Sequence, residues 1–203
     1  MGNLFLDHIV IGANYTFIKE VFEKLNLVPS PYKVQEKMNT KNYILVLRDN
    51  CYVEFLCIND EHKESFLSNM KRPKLLSIMV GTSDINSSLK LFNKFNLAYS
   101  EYQLLENKYR DLFHKWKLSK YPIINKNINQ TRPHLIEWID GKHPSLLNPK
   151  SSLTIDISIN SKAKEELDLY FNQIDNVIVK SSIEEESVNI ELKNDSGFKF
   201  VLI

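Results

Sequence analysis

Three times along this chain an apolar, β-type run is followed by an amphipathic helix and then by further strands, and this recurrence limits the possible folds more than any other feature. The opening runs are Leu4 to Ile11, closed by Gly12, then Leu75 to Val80, then Leu153 to Ile159. Their starts lie about 70 to 80 residues apart. Helical spacing follows each: Phe17, Ile18, Val21, Phe22 and Leu25; Ile85, Leu89, Phe92 and Phe95; Leu167, Tyr170, Phe171 and Ile174. Asp84 and Ser161 are placed to cap the second and third helices.

Strands complete each unit. In the first they are a short one at Lys33 to Gln35, then Tyr43 to Leu47 and, after the Asp49-Asn50 turn, Tyr52 to Ile58. In the second, residues 100–132 show no sustained period except a strand at His114 to Leu118. Leu135 to Ile139 closes that unit before Asp140-Gly141. The third ends in Val177 to Val179, Val188 to Leu192 and Phe198 to Ile203, the last two joined at Asn194 to Gly197. The expectation is an α+β fold of repeated βαβββ units over 4–58, 75–140 and 152–203. No Ser/Gly linker separates them, so 1–203 is expected to pack as one body.

Composition narrows the function classes. Hydrophobic residues at 43% and charged residues at 25% are an ordinary globular mix. Twenty-six basic against 25 acidic side chains leave +1, which gives no electrostatic reason for nucleic acid or an anionic membrane as partner. Cys51 and Cys57 sit six steps apart in one strand-like run, roughly 20 Å, too far to bridge. They also lack metal spacing, so a reduced, cytoplasmic protein is expected. Asp7 and His8 interrupt the first apolar stretch, which does not read as a signal peptide, and no run approaches the ~20 residues of a membrane span. Five glycines, with no phosphate loop, GxSxG elbow or HExxH, leave nucleotide, serine-hydrolase and zincin chemistry unsupported.

A few polar residues stand out against this apolar pattern. Glu54 shares a strand face with Tyr52, Leu56 and Ile58, and both faces of that strand are apolar. A carboxylate there needs a cation, a donor or a proton. It either serves a site or pairs with Lys or Arg, and Glu137, between Leu135 and Ile139, poses the same choice. His8 is expected beside Leu6 and Val10, as a site residue or a hydrogen-bonded core histidine. Asn42 can orient a carbonyl or carboxylate, or serve a turn. Trp116 can wall a ligand or fill the core. Arg110, Arg132 and the neighbouring lysines would suit an anionic ligand, though scattered surface charge is the default reading, while His143 reads as an exposed loop residue and Glu184-Glu185-Glu186 as a solvated turn.

Several segments carry a resemblance beyond pattern. They are Leu6-Asp7-His8-Ile9-Val10 before a helix, Asn39-Thr40-Lys41-Asn42, Tyr52-Val53-Glu54-Phe55-Leu56, Trp116-Lys117-Leu118, Pro133 to Trp138 and His143-Pro144-Ser145. Together they resemble the bacterial glyoxalase-like domain group of the vicinal-oxygen-chelate superfamily, over about three quarters of the chain. The sequence departs from that group at Asn39, where glycine is common, and at Gln35, near a common histidine.

The resemblance implies paired βαβββ modules whose sheets curl into a half-open barrel, helices outside, around a small-molecule site. It implies metal positions at His8 and Glu54, with Ser77 opposite His8 and Glu137 opposite Glu54 in the second unit. A His8/Glu54/Glu137 set would take a divalent ion (Mn, Ni, Zn or Fe). The implied activity is a metal-dependent lyase, isomerase or dioxygenase, with Glu54 or Glu137 moving a proton. The alternative is metal-free binding or sequestration of a small molecule, as in bleomycin-resistance proteins. His8, Asn42 and Trp116 would contact the ligand in either case. The first two units are expected to supply the site, and the third to complete the sheet or cover the cavity. A monomer or homodimer suits either reading.

Overall fold

The computed structural model describes residues 3–35, 40–58, 72–94, 101–109, 112–120, 133–146, 150–162, 164–172, 174, 177–182 and 187–203. Phe95, Arg110, Arg132, Asn39 and Glu184-Glu185-Glu186 lie outside them. The first unit consists of β1 (Leu4–Gly12), α1 (Tyr15–Lys24), β2 (Pro31–Gln35), β3 (Thr40–Val46) and β4 (Tyr52–Ile58). The second repeats this order with β5 (Lys74–Thr82), α2 (Ile85–Lys94), β6 (Glu101–Tyr109), β7 (Leu112–Lys120) and β8 (His134–Asp140). The third has β9 (Thr154–Ser161), α3 (Lys164–Phe171), β10 (Val177–Ser181), β11 (Ser187–Lys193) and β12 (Lys199–Val201).

The first two units share one sheet in the order β2-β3-β4-β1-β5-β8-β7-β6. It is symmetric about the antiparallel β1–β5 pair, and each first strand runs parallel to the last strand of its own unit. The sheet curls into a half-barrel with α1 and α2 on its outer face, an α+β architecture. Strand alternation produces the two faces. Ile9, Ile11, Val53, Phe55, Ile78, Val80 and Leu135 point outward into a common core with Ile18, Val21, Ile85 and Phe92 of the helices. The two helices begin as the sequence demands: Asn14 Oδ1 accepts from Phe17 N at 2.8 Å, and Asp84 Oδ1 accepts from Ser87 N at 3.1 Å.

The third unit keeps the order of elements but not their pairing. Its sheet runs β10-β9-β11-β12, so the strand after the helix, not the last one, lies parallel to the first. It does not complete the large sheet. It packs over the helices, with Tyr170 against Phe92 (ring centroids 4.5 Å apart) and Phe200 against Phe17 (6.2 Å). Ser161 is the buried last residue of β9, and α3 follows from Lys164. Among the described residues no helix is long and apolar enough to cross a membrane. Cys51 and Cys57 are buried and not bridged to each other, and burial pushes the Cys51 thiol up to about 12.

Candidate functional site

The site begins with an irregularity in β1. Leu6 pairs with Val80 and His8 with Met79, so Asp7 is an extra residue, a β-bulge. Normal alternation would put Leu6 and His8 on one face. The bulge instead leaves Leu6 in the outer core with Ile9 and Ile11, and turns Asp7 and His8 inward. The expected grouping of His8 with Leu6 is therefore corrected. A second bulge falls at Leu76 in β5, where Val10 pairs with Ser77 and Ile11 with Leu75. The two bulges superpose Leu75-Leu76-Ser77-Ile78 on Leu6-Asp7-His8-Ile9, so Ser77 does occupy the position of His8. The polar pair Asp7-His8 is replaced by Leu76-Ser77, and the site is one-sided.

Asp7 is fully buried, and every acceptor it turns inward is engaged. Its Oδ1 lies 2.6 Å from His8 Nδ1; its Oδ2 accepts from Trp138 Nε1 at 2.9 Å and lies 3.2 Å from His143 Nε2. Burial alone would raise its pKa. Hydrogen bonds from His143 and His8, with the attraction of both rings, outweigh burial and hold the carboxyl well below the usual range. An ionised carboxylate can only accept, so both facing nitrogens carry protons. His143 Nδ1 is then the acceptor, and Ser145 N donates to it at 3.3 Å.

With His8 Nδ1 donating to Asp7, its Nε2 faces the cavity, 3.6 Å from Glu54 Oε2. Tyr52 stacks on the imidazole, with centroids 4.3 Å apart and 10° between planes, and fixes its tilt. Glu54 Oε1 accepts from Asn42 Nδ2. That bond sets the amide orientation, because the reverse one would aim two acceptors at each other. Asn42 Oδ1 is consequently left buried with no hydrogen-bond partner, at 4% residue exposure, a cost of about 1–3 kcal/mol that a donor would remove.

These groups line one side of a cleft of about 210 Å³. Its opposite wall comes from the second unit: Leu105, Asn107, His114, Trp116, Leu118, Ile136 and Trp138. Burial lowers the pKa of His114. His8, Glu54, Asn42 and Trp116 are thus brought together, and among the described residues the lining contains none beyond Pro144, so no described residue of the third unit covers this cavity. No local pattern singles out Asp7, Trp138 and His143 as partners. The one available sign was two adjacent polar residues, Asp7-His8, in an apolar strand, which is the mark of a bulge.

Glu137 is not brought to the cleft. It points from β8 to the outer face, where it accepts from Ile85 N at 2.9 Å and pairs with Lys117 at 3.1 Å. Register explains this. Val10 pairs with Glu54, and its counterpart Met79 pairs with His134, so His134 holds the position equivalent to Glu54. Its Nδ1 lies 3.3 Å from Ser119 O. Among the described residues no three His, Cys, Asp or Glu converge as a metal site. His8 Nε2 and Glu54 are two donors on one side of the cleft, and His8 Nδ1 is committed to Asp7. The residues present do not fit the divalent ion expected at His8/Glu54/Glu137.

The family profile described as "Glyoxalase-like domain" matches residues 6–168. A hypothetical protein from Staphylococcus aureus shares the fold at TM-score 0.55 and 15% identity, over 98% of this chain and 85% of that one. Methylmalonyl-CoA epimerase from Mycobacterium tuberculosis superposes at TM-score 0.40 and 8% identity, over 66% and 85%. A mutant 4-hydroxymandelate synthase from Streptomyces coelicolor superposes at 0.46 and 9%, over 67% and 48%. Comparison with the curated proteins gives no match. With its paired modules and a profile match over most of its length, the chain belongs to the glyoxalase-like domain family.

Proposed function

We propose that the cleft binds a small molecule and transfers a proton on it, using His8 and Glu54 as an acid–base pair without a resident metal. The observation that carries this reading is the relay Asp7–His8–Glu54, with contacts of 2.6 Å and 3.6 Å. Asp7 fixes the Nδ1–H tautomer, so His8 Nε2 and the Glu54 carboxyl compete for one proton. A ligand carbonyl between them meets both roles. Glu54 takes a proton from the adjacent carbon, the C–H electrons pass to the carbonyl, and its oxygen takes a proton from His8 Nε2. Return of a proton from Glu54 to the carbon, with the oxygen's proton going back to His8 Nε2, regenerates the carbonyl compound with its C–H hydrogen exchanged.

A second reading is metal-free binding or sequestration. It is favoured by the apolar wall of Leu105, Trp116, Leu118, Ile136 and Trp138, which faces the relay. One experiment separates the two. A small-molecule library is screened by thermal shift on the wild type, His8→Ala and Glu54→Gln, and stabilising carbonyl compounds are incubated with protein in deuterated buffer. Deuterium at the carbon beside the carbonyl, lost in both variants, supports proton transfer. Stabilisation without exchange supports binding alone. Stabilisation equal in all three proteins puts the ligand outside the cleft and refutes both.

A further inference from the structure

We infer that the ligand class of this cleft is a protonated amine attached to a flat apolar group; the inference rests on the cleft being the small-molecule site. Three independent features point to it. The first is charge. One carboxylate, Glu54, lines the cavity, and the lining contains no lysine or arginine among the described residues. The nearby Lys117 points to the outer face, where Glu137 holds it. A phosphate or carboxylate ligand would meet the like charge of Glu54 and no lysine or arginine to offset it.

The second is the set of free acceptors. Asn42 lines the cleft, and its buried Oδ1 has no donor. Glu54 Oε2 is outside hydrogen-bond range of His8 Nε2 at 3.6 Å, and the Glu54 side chain is 20% exposed toward the cleft. The hydrogen bond between Asn42 and Glu54 keeps both acceptor-bearing side chains together, and such a pair suits a group with two or more N–H donors, which an ammonium supplies and an ether, ester or carboxylate does not. The third is the wall. Trp116 and Trp138 both line the cavity with ring centroids 5.5 Å apart. Tryptophan is the best side chain for a cation over its ring face, and it stacks equally well on a flat apolar group.

The test is calorimetric titration of the full chain at about pH 7.5, where the probe amine is charged, with phenethylamine, 3-phenylpropanamide and 3-phenylpropionate. These three share the phenyl group and differ in the charge and donors of the tail. The wild type is expected to bind phenethylamine roughly ten-fold or more tighter than 3-phenylpropionate. Asn42→Leu should weaken the amine several-fold, and Glu54→Gln should abolish the preference. The comparison within the wild type stands even if a variant fails to fold. Equal or tighter binding of 3-phenylpropionate overturns the amine assignment while leaving the small-molecule site intact. No phenethylamine binding up to about 10 mM overturns it as well. Phenethylamine affinity unchanged in both variants refutes the site itself.

Discussion

Asp7 and His143 stand 136 positions apart in the chain, yet the His143 Nε2 lies 3.2 Å from Asp7 Oδ2. The segment that leaves the second unit is thereby tied to the first strand of the first unit, at the residue that the bulge turns inward. His143 also packs edge-on to Trp138 and Tyr52, at 5.3 and 5.5 Å. One loop residue therefore closes the polar centre of a cleft built by two modules.

Removing that tie should be costly, because it strips one of three donors from a buried carboxylate. His143→Phe keeps a ring of similar size and is expected to lower stability by about 1–3 kcal/mol in urea denaturation. Ser145→Ala, which loses a contact only to the far side of that ring (2.6 Å from its hydroxyl to Nδ1), should cost about 1 kcal/mol or less. Equal losses would show that Asp7 does not depend on His143.

Glu137 gives the complementary prediction. Its partners are Lys117 and the amide at the start of α2, so Glu137→Ala should destabilise the protein by about 1–2 kcal/mol. Ligand affinity in the cleft should stay the same. Impaired binding by a folded Glu137→Ala protein, read by calorimetry, would return Glu137 to the site.

Much of this architecture was readable in the sequence. The apolar runs at 4, 75 and 153 and the helical faces after them identified the units, because burying one face of each element leaves a periodic record. Glu54 was legible for the same reason, as a carboxylate in an inner strand. What failed was register. Nothing local distinguishes the face of Glu137 from that of Glu54, and only the pairing of Met79 with His134 reveals the offset. Residues 101–109 hid a long strand, while His114 to Leu118 of β7 was legible, because β6 lies at the sheet edge and carries Glu, Gln, Asn and Lys in place of apolar alternation. The different pairing of the third unit is also a long-range property, invisible to a pattern of local elements.

His134 makes stability depend on pH. Burial lowers its pKa, with a partial offset from the Ser119 carbonyl, so the unfolded chain binds a proton at higher pH than the folded protein does. The stabilising contribution is complete above the ordinary histidine value near about 6.5 and is lost as pH falls through the lowered folded value. Wild-type stability should therefore fall between about pH 7.5 and 5.5, by at most about 1.4 kcal/mol per unit for this group. His134→Gln should reduce that fall. An unchanged pH profile would contradict the assignment.

The central claim is that Asp7 holds His8 with Nε2 aimed at the ligand. Long-range proton–nitrogen correlation NMR of the histidine rings tests it most directly, with and without a ligand that stabilises the protein. The prediction is a protonated Nδ1 on His8 in the free protein, and a change at Nε2 on ligand addition that Glu54→Gln diminishes. A His8 ring whose Nδ1 carries no proton, or whose Nε2 ignores every stabilising ligand, would contradict it.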